Sequence, residues 1–245
     1  MVVTTFGSSF RNGFKISLGD KKEALIYLSI KETLNKIRAE QMAPLTINQE
    51  ILRVLSILTL GMLLGLIAKY SDTIPSNWPL GHFWSFIKDI TTRLGIWILL
   101  ATIIGAWSRN PKIGAIKVFA FFIGMLLTYY IYSAKLFGFF PTYYFLRWGL
   151  IALVSPLAAY IVWFGRGQGW IAALCAALPI GLLAAQGYSF LHTFAAVLGF
   201  DFLSAIALFI ALPQWKYQHF KVLPLVLVIT ILLRHFHVIG YLLGV

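Results

Sequence analysis

The side chains best suited to chemistry are three histidines and one aspartate near the carboxyl end of the chain. His192, Asp201, His235 and His237 offer nitrogen and oxygen ligands of the kind that bind zinc. They fall near the same end of the last two apolar segments. Against a metal site, His235 and His237 are two residues apart on a helix and so point about 200° from each other. A metal enzyme using His192, Asp201 and His235 is therefore the third of three functional hypotheses.

Asp201 and Arg234 are the only strong opposite charges inside the last apolar segments. If these segments form a hairpin centred near Tyr217, the two residues lie sixteen before and seventeen after its centre, at the same depth. A lone charge in a bilayer costs about 2.5–3.5 kcal/mol on insertion scales. We therefore predict that Asp201 and Arg234 form an intramembrane ion pair, either structural or acting as a gate. The alternative is that Asp201 caps a helix beginning at Phe202 while Arg234 reaches the interface.

Other motifs for catalysis or cofactor binding are weak in this sequence. Five of the eight carboxylates lie in the first fifty residues, and Asp201 is the only one after Asp89. Residues 165–169, GRGQG, lack the preceding strand that a phosphate-binding glycine loop requires. Cys175 is the only cysteine and cannot form an internal disulfide. We expect no enzyme, and the sequence names no cofactor.

The composition indicates a membrane protein. Hydrophobic residues make up 60% of the chain and charged residues 11%, whereas soluble domains are about a quarter charged. The mean hydropathy is +0.83. The apolar runs are continuous, without the alternation of a barrel wall, so we predict an all-α, polytopic transmembrane helical bundle. The net charge of +12 is scattered between apolar runs, which favours contact with the lipid bilayer over nucleic acid.

Seven apolar segments are predicted to cross the membrane, organised around the aromatic hairpin 118–164. Gly61 and Gly65 in the first segment are spaced for close helix packing. Ile90–Arg93 could lengthen the short second segment, and a six-span alternative holds if the last segment is re-entrant. The predicted spans are Ile51–Ala68, Leu94–Trp107, Val118–Ala134, Trp148–Phe164, Trp170–Gly187, Thr193–Leu212 and Val222–Tyr241.

The first fifty residues are predicted to be a cytosolic tail and amphipathic helix, preceding a transmembrane domain over 51–245. Asp20 is a suitable N-cap with Glu23 at the capping-box position, and the helix would extend to Met42. Residues 1–19 lack the apolar core of a secretory signal and are either a loosely ordered tail or a targeting segment.

Basic residues set the expected orientation. Fourteen Lys and Arg fall on the side of the N-terminus, and five fall in the opposite connectors. The positive-inside rule then places the N-terminus in the cytoplasm.

Five stretches of the sequence also carry a family resemblance. They read GMLLGLIAKYSDTIP, GIWILLATIIGAWSRNP, FFIGMLLTYYIY, GFFPTYYFLRW and SPLAAYIVWFGRGQGW. Over residues 51–241 the chain resembles a family of uncharacterised bacterial multispanning membrane proteins. The resemblance implies a membrane architecture in the bacterial cell membrane, and it implies no chemistry.

The sequence leaves three functional hypotheses: an accessory subunit, a transporter and the metal enzyme described above. The scarcity of polar groups in the apolar segments favours an accessory, scaffold or assembly subunit of a membrane complex, with other membrane subunits as partners. The alternative is a small-solute or ion transporter that uses Asp201 and Arg234, with helices interrupted at Pro156 and Pro179. A water-accessible site at Asp201 would favour transport, converging histidines a metal enzyme, and a dry core the accessory role.

Overall fold

The computed structural model describes residues 26, 29, 32–38, 46–75, 77–138 and 140–237. The chain divides into two compact units, residues 1–36 and residues 37–245. In the first unit, residues 32–36 are helical, and Lys36 lies 3.4 Å from the Glu32 carboxylate one turn away. Residues 1–19 and most of the predicted helix from Asp20 to Met42 lie outside the described residues.

The described part of the second unit is built from nine helices and contains no strand. They are α1 (Ile47–Ser71), α2 (Gly81–Thr92), α3 (Leu94–Ala106), α4 (Pro111–Phe137), α5 (Thr142–Phe164), α6 (Gly169–Gly187), α7 (Phe190–Thr193), α8 (Ala196–Ala211) and α9 (Lys216–His235).

Local sequence signals set several of these boundaries. A capping box joins Thr46 and Gln49 at the start of α1. At the start of α4, Asn110 accepts a hydrogen bond from the Ile113 amide, 2.7 Å long, and a proline occupies the first turn. The same helix ends at Gly138, whose φ of 72° is the left-handed conformation that favours glycine.

Five of the described helices are long and apolar enough to span a membrane, as expected of an integral membrane protein. The number rises to six if α2 and α3, which meet at a bend of 68°, form one span. The helix α8 is apolar but has only 16 residues. Ile90 does not extend the second predicted segment in a straight line, because α2 ends at Thr92 and the chain turns at Arg93. Pro156 and Pro179 lie inside continuous helices, so neither interrupts its helix.

The helices α1 and α4 run parallel and touch through glycines. A Cβ atom at Gly61 would overlap the Phe121 carbonyl oxygen, and one at Gly65 would overlap the Met125 carbonyl oxygen. From α4, a Cβ at Gly124 would overlap the Leu58 carbonyl oxygen of α1. The small-residue face predicted in the first segment therefore packs against α4, and backbone approaches backbone as in other small-residue crossings.

The helices α6 and α9 also run parallel. At their starts, the Gln218 side chain donates to the Gly169 carbonyl, 2.6 Å away. Twelve residues further along α6, a Cβ at Gly181 would lie 2.6 Å from Cγ2 of Ile229. The α6 face is rich in buried alanines, which lets α8 and α9 both pack closely on it.

The helices α3 and α5 connect the α1–α4 pair to the group formed by α6, α8 and α9. Trp97 of α3 packs between Phe121 and Trp148, with ring centroids 6.1 and 6.4 Å away. Ala106 and Val162, near the ends of α3 and α5, belong instead to the core formed with α6, α8 and α9. Both helices therefore contribute to two adjoining hydrophobic cores.

Contacts between helix ends fix the direction of each helix. Arg109, just before α4, lies 3.7 Å from Glu50 in the first turn of α1. The Trp163 indole, at the end of α5, donates to the Ser108 carbonyl, 2.8 Å away. The starts of α1, α4, α6 and α9 and the ends of α3, α5 and α8 thus share one end of the unit, which we call the basic end. The opposite end, where α3 and α8 begin, is called the Asp201 end.

Candidate functional site

A buried ion pair joins the start of α3 to the start of α8. Arg93 is the extended residue between α2 and α3, with φ −95° and ψ 160°. Its Nε and Nη2 atoms both lie 3.0 Å from Oδ2 of Asp201. Asp201 is only 1% exposed, while the Arg93 side chain keeps about a third of its surface (33%) exposed. The carboxylate is thus enclosed, and the guanidinium connects it to the protein surface.

The second carboxylate oxygen of Asp201 faces the first turn of α3. A Cβ atom at Gly95 would overlap Oδ1 of Asp201, so the site is closed to any larger residue at this position. The N-terminal turn of a helix carries partial positive charge and favours a nearby anion. Arg93 and the start of α3 therefore present positive charge to the two oxygens of one carboxylate.

Gln186 completes this site from the last turn of α6. Its backbone carbonyl accepts a hydrogen bond from Nη2 of Arg93 at 3.4 Å. The residue is 6% exposed, and neither its amide nitrogen nor its amide oxygen has a hydrogen-bond partner among the described residues. An unsatisfied buried polar group costs about 1–3 kcal/mol. The Gln186 amide is therefore a buried polar group without a partner among the described residues, on a residue whose backbone contacts Arg93.

Arg234 lies elsewhere and binds an aromatic ring. Its guanidinium carbon is 4.0 Å from the centroid of the Tyr188 ring. In the described part of the chain Asp201 thus pairs with Arg93 in place of the predicted Arg234. The prediction assumed a hairpin of α8 and α9, but α9 packs mainly on α6, and the start of α3 takes the position beside Asp201.

The predicted histidine cluster does not converge on Asp201. The His192 ring contacts the Tyr188 ring at 5.5 Å, so His192 and Arg234 share that tyrosine. His235 contacts Phe236, and His237 follows with a positive φ of 49°. Within the described ranges, no group of three His, Cys, Asp or Glu side chains is placed to hold a metal ion.

Sequence reasoning overlooked Arg93 and Gln186. Arg93 borders an apolar run, where a basic residue usually marks a membrane interface. The one available signal was Gly95, two residues after Arg93. A small residue at the start of an apolar helix can leave room for a side chain from another helix. Gln186 was the only amide side chain within the fifth predicted span, which marked it as unusual without naming a partner.

At the basic end, two arginines bind the carboxyl ends of helices. Arg38 stacks over the Trp163 ring at 4.0 Å and donates to the carbonyls of Ala106 and Trp163. Arg166 stacks over Trp107 at 4.1 Å. Burial, and secondly the charge of Arg166, lowers the pKa of Arg38 to about 10, so the Arg38 side chain is cationic at neutral pH. Cations at these positions complement the helix dipoles.

Comparison with known proteins adds no relative. No protein-family model matches the chain, and neither a curated protein nor a solved structure matches it. The family resemblance therefore rests on the quoted stretches alone.

Proposed function

We propose that the chain crosses the bacterial cell membrane seven times with its N-terminus in the cytoplasm. Seven crossings would result if α2–α3 and α8 each count as one span, and the alternating directions of the helices support that count. The orientation is supported by the basic end, where Arg38, Arg109, Lys117 and Arg166 lie, because cytoplasmic ends of spans are enriched in Lys and Arg.

We infer further that the protein transports a small polar solute or an ion, through a second state in which Asp201, only 1% exposed here, becomes accessible to water. The observation that carries this proposal is the Arg93–Asp201 pair at a broken helix, where Arg93 also donates to the backbone carbonyl of the buried Gln186. Ionisable residues buried among membrane helices commonly mark solute or ion pathways. Transport sites also commonly use broken helices whose N-termini point at negative charge.

The pair is placed to act as a gate. It links α3 and α8, and α3 packs mainly on α4 and α5 while α8 packs mainly on α6. Moving α3 away from α8 at the Asp201 end requires the ion pair to break. A proton taken up by Asp201, or an anion that replaces its carboxylate on Arg93, would weaken the pair. Either event couples binding to opening, because the ligand then favours the separated state.

Electrophysiology on proteoliposomes tests this proposal. Protons, alkali cations, small carboxylates and amino acids form the panel of solutes. One class is expected to give a current or uptake of a labelled solute with the wild-type protein, and Asp201→Asn and Arg93→Gln should abolish it. Arg147→Gln is the matched control, since Arg147 stacks over Tyr143 in the first turn of α5. A folded wild-type protein that gives neither a current nor uptake of a labelled solute with any class contradicts transport.

The second candidate remains an accessory or scaffold subunit, and a leucine stripe on α5 favours it. Leu146, Leu150, Leu153 and Leu157 are each more than half exposed, at spacings of four, three and four. This is the seam spacing of paired helices. If the stripe binds another membrane subunit, a stoichiometric partner should co-purify in gentle detergent, and Leu150→Ala with Leu153→Ala should release it. Retention of every co-purifying protein by this variant would count against the stripe.

A further inference from the structure

The Arg93–Asp201 pair leaves two opposite charges without partners when α3 and α8 separate. In the structure, Nε and Nη2 of Arg93 both lie 3.0 Å from the same oxygen of the buried Asp201 carboxylate. An unpaired charge among membrane helices is costly, and so is the loss of one partner from a buried pair. A solute that opens the proposed transport site must therefore supply a new partner for one charge or for both.

The signs of these two charges narrow the chemistry of the solute. A simple cation would pair with Asp201 but be repelled by Arg93, and a simple anion would pair with Arg93 but be repelled by Asp201. A molecule that carries both an ammonium group and a carboxylate can pair with each residue, and it adds no net charge to the site. Charge complementarity therefore favours a zwitterion over either kind of ion.

Two helix ends at the pair have matching polarity. The first turn of α3 faces Oδ1 of Asp201 at Gly95, and the partial positive charge at the start of a helix favours a carboxylate. Gln186 lies in the last turn of α6, and its carbonyl accepts a hydrogen bond from Nη2 of Arg93 at 3.4 Å. The partial negative charge at the end of a helix favours an ammonium group. Opposite polarities therefore meet at one place, as the two ends of a zwitterion require.

Close packing around Asp201 limits the size of the solute. A Cβ atom at Gly95 would overlap Oδ1 of Asp201, and a Cβ atom at Gly187 would overlap the backbone of Phe202. The helices α3 and α6 therefore both approach α8 closely at this point, so a small separation of α3 from α8 admits only a compact solute. The Arg93 side chain is partly exposed, which lets its guanidinium meet a carboxylate that arrives from the Asp201 end.

We infer that this site takes a small amino acid in its zwitterionic form, with its carboxylate on Arg93 and its ammonium group on Asp201. The inference rests on the proposed transport and adds the chemical class of the solute. One ion pair breaks and two ion pairs form, so no proton has to be taken up when the solute binds. The solute pairs with both residues only after they separate, and it therefore favours the separated state.

Thermal unfolding of the purified wild-type protein in neutral detergent tests the site without any substitution. The probes are glycine, alanine, serine and 4-aminobutyrate. Each is compared with its amide, which lacks the carboxylate charge, and with its N-acetyl form, which lacks the ammonium charge. At least one amino acid should raise the unfolding midpoint at concentrations at which neither of its analogues does. Uptake of that amino acid, labelled, into proteoliposomes should be inhibited by the unlabelled amino acid and by neither analogue.

Two variants should exchange the preference of the site. Asp201→Asn leaves the charge of Arg93 and should prefer the N-acetyl form, while its affinity for the free amino acid falls roughly thirtyfold or more. Arg93→Gln leaves the charge of Asp201 and should prefer the amide. Asp72→Asn is the matched control, because it removes a different carboxylate at the Asp201 end, one that lies 3.3 Å from Lys69.

The outcomes separate this inference from the proposed transport. A wild-type protein that responds to no amino acid, or that responds equally to an amino acid and to one of its analogues, overturns the inference. Uptake of simple cations or simple carboxylates without uptake of any amino acid also overturns it, and leaves transport in place. An amino acid that binds and is not taken up supports the zwitterion site and contradicts transport.

Discussion

The helices before α5 and those after it follow the same succession. In the first half, α1 to α4, and in the second half, α6 to α9, a long helix is followed by a break, a helix running back, and a third helix parallel to the first. The returning helices differ in charge at their starts: Arg93 precedes α3, and Asp201 lies in the second turn of α8. The two halves are therefore joined by opposite charges at similar places.

The halves differ in how their parallel helices touch. In the first half, glycines bring the α1 and α4 backbones into direct contact. In the second half, Gly181 of α6 faces the Cγ2 and Cβ atoms of the Ile229 side chain on α9. Backbone cannot move aside without shifting a whole helix, whereas a side chain can change rotamer. The α1–α4 contact should therefore be the more rigid one, and the α6–α9 contact the one that adapts.

The largest expected effect comes from removing one charge of the pair between the halves. Arg93→Ala should lower the free energy of unfolding by about 3–5 kcal/mol, because the Asp201 carboxylate is then buried without its partner. Asp201→Ala should cost less, because the Arg93 side chain keeps a third of its surface (33%) exposed. Unfolding in detergent, followed by circular dichroism, measures this. The swap Arg93→Asp with Asp201→Arg should recover only part of the loss, since the enclosed position of Asp201 against Gly95 has little room for an arginine side chain. A wild-type stability in Asp201→Ala would show that the pair does not join the halves.

The second prediction compares the two helix contacts directly. Gly61→Ala should cost about 1–3 kcal/mol, because the new methyl group meets the Phe121 carbonyl oxygen. Gly181→Ala should cost less, since its new methyl group meets side-chain atoms of Ile229 rather than backbone, and an Ile229→Ala background, which removes Cγ2, should reduce the cost of Gly181→Ala further. Chemical unfolding of these variants measures the difference. Equal losses at Gly61 and Gly181 would remove the contrast between a rigid and an adaptable contact.

Sequence patterns predicted the helices far better than the site. Continuous apolar runs and caps such as Asn110 are local signals, and α4 and α5 contain the predicted spans 118–134 and 148–164. The partner of Asp201 is determined by tertiary packing. It depends on α9 packing on α6, and a depth argument from one hairpin cannot foresee that. To predict Arg93 as the partner, one would also have to predict the 68° bend between α2 and α3. No Pro or Gly lies at the centre of that bend to indicate it.

The third prediction concerns Gly95 of α3, which lies against the Asp201 carboxylate of the other half. Gly95→Ala should destabilise by about 1–3 kcal/mol because its methyl group would overlap Oδ1 of Asp201. In an Asp201→Ala background the same change should cost almost nothing, since the overlapping oxygen is absent. A double-mutant cycle on the free energy of unfolding isolates this coupling. An equal cost in both backgrounds would mean that Gly95 is required for the backbone of α3 rather than for the carboxylate.

The smallest effect is expected at Arg234, and it decides which arginine belongs to Asp201. A cation over an aromatic ring contributes about 0.5–2 kcal/mol, so Arg234→Gln should lose no more than that. Arg234→Gln and Tyr188→Leu should be coupled in a double-mutant cycle. Arg234→Gln and Asp201→Asn should instead be additive within about 0.5 kcal/mol, as for residues that share no contact. Strong coupling between Arg234 and Asp201, with none between Arg93 and Asp201, would restore the hairpin pairing and remove the link between the two halves.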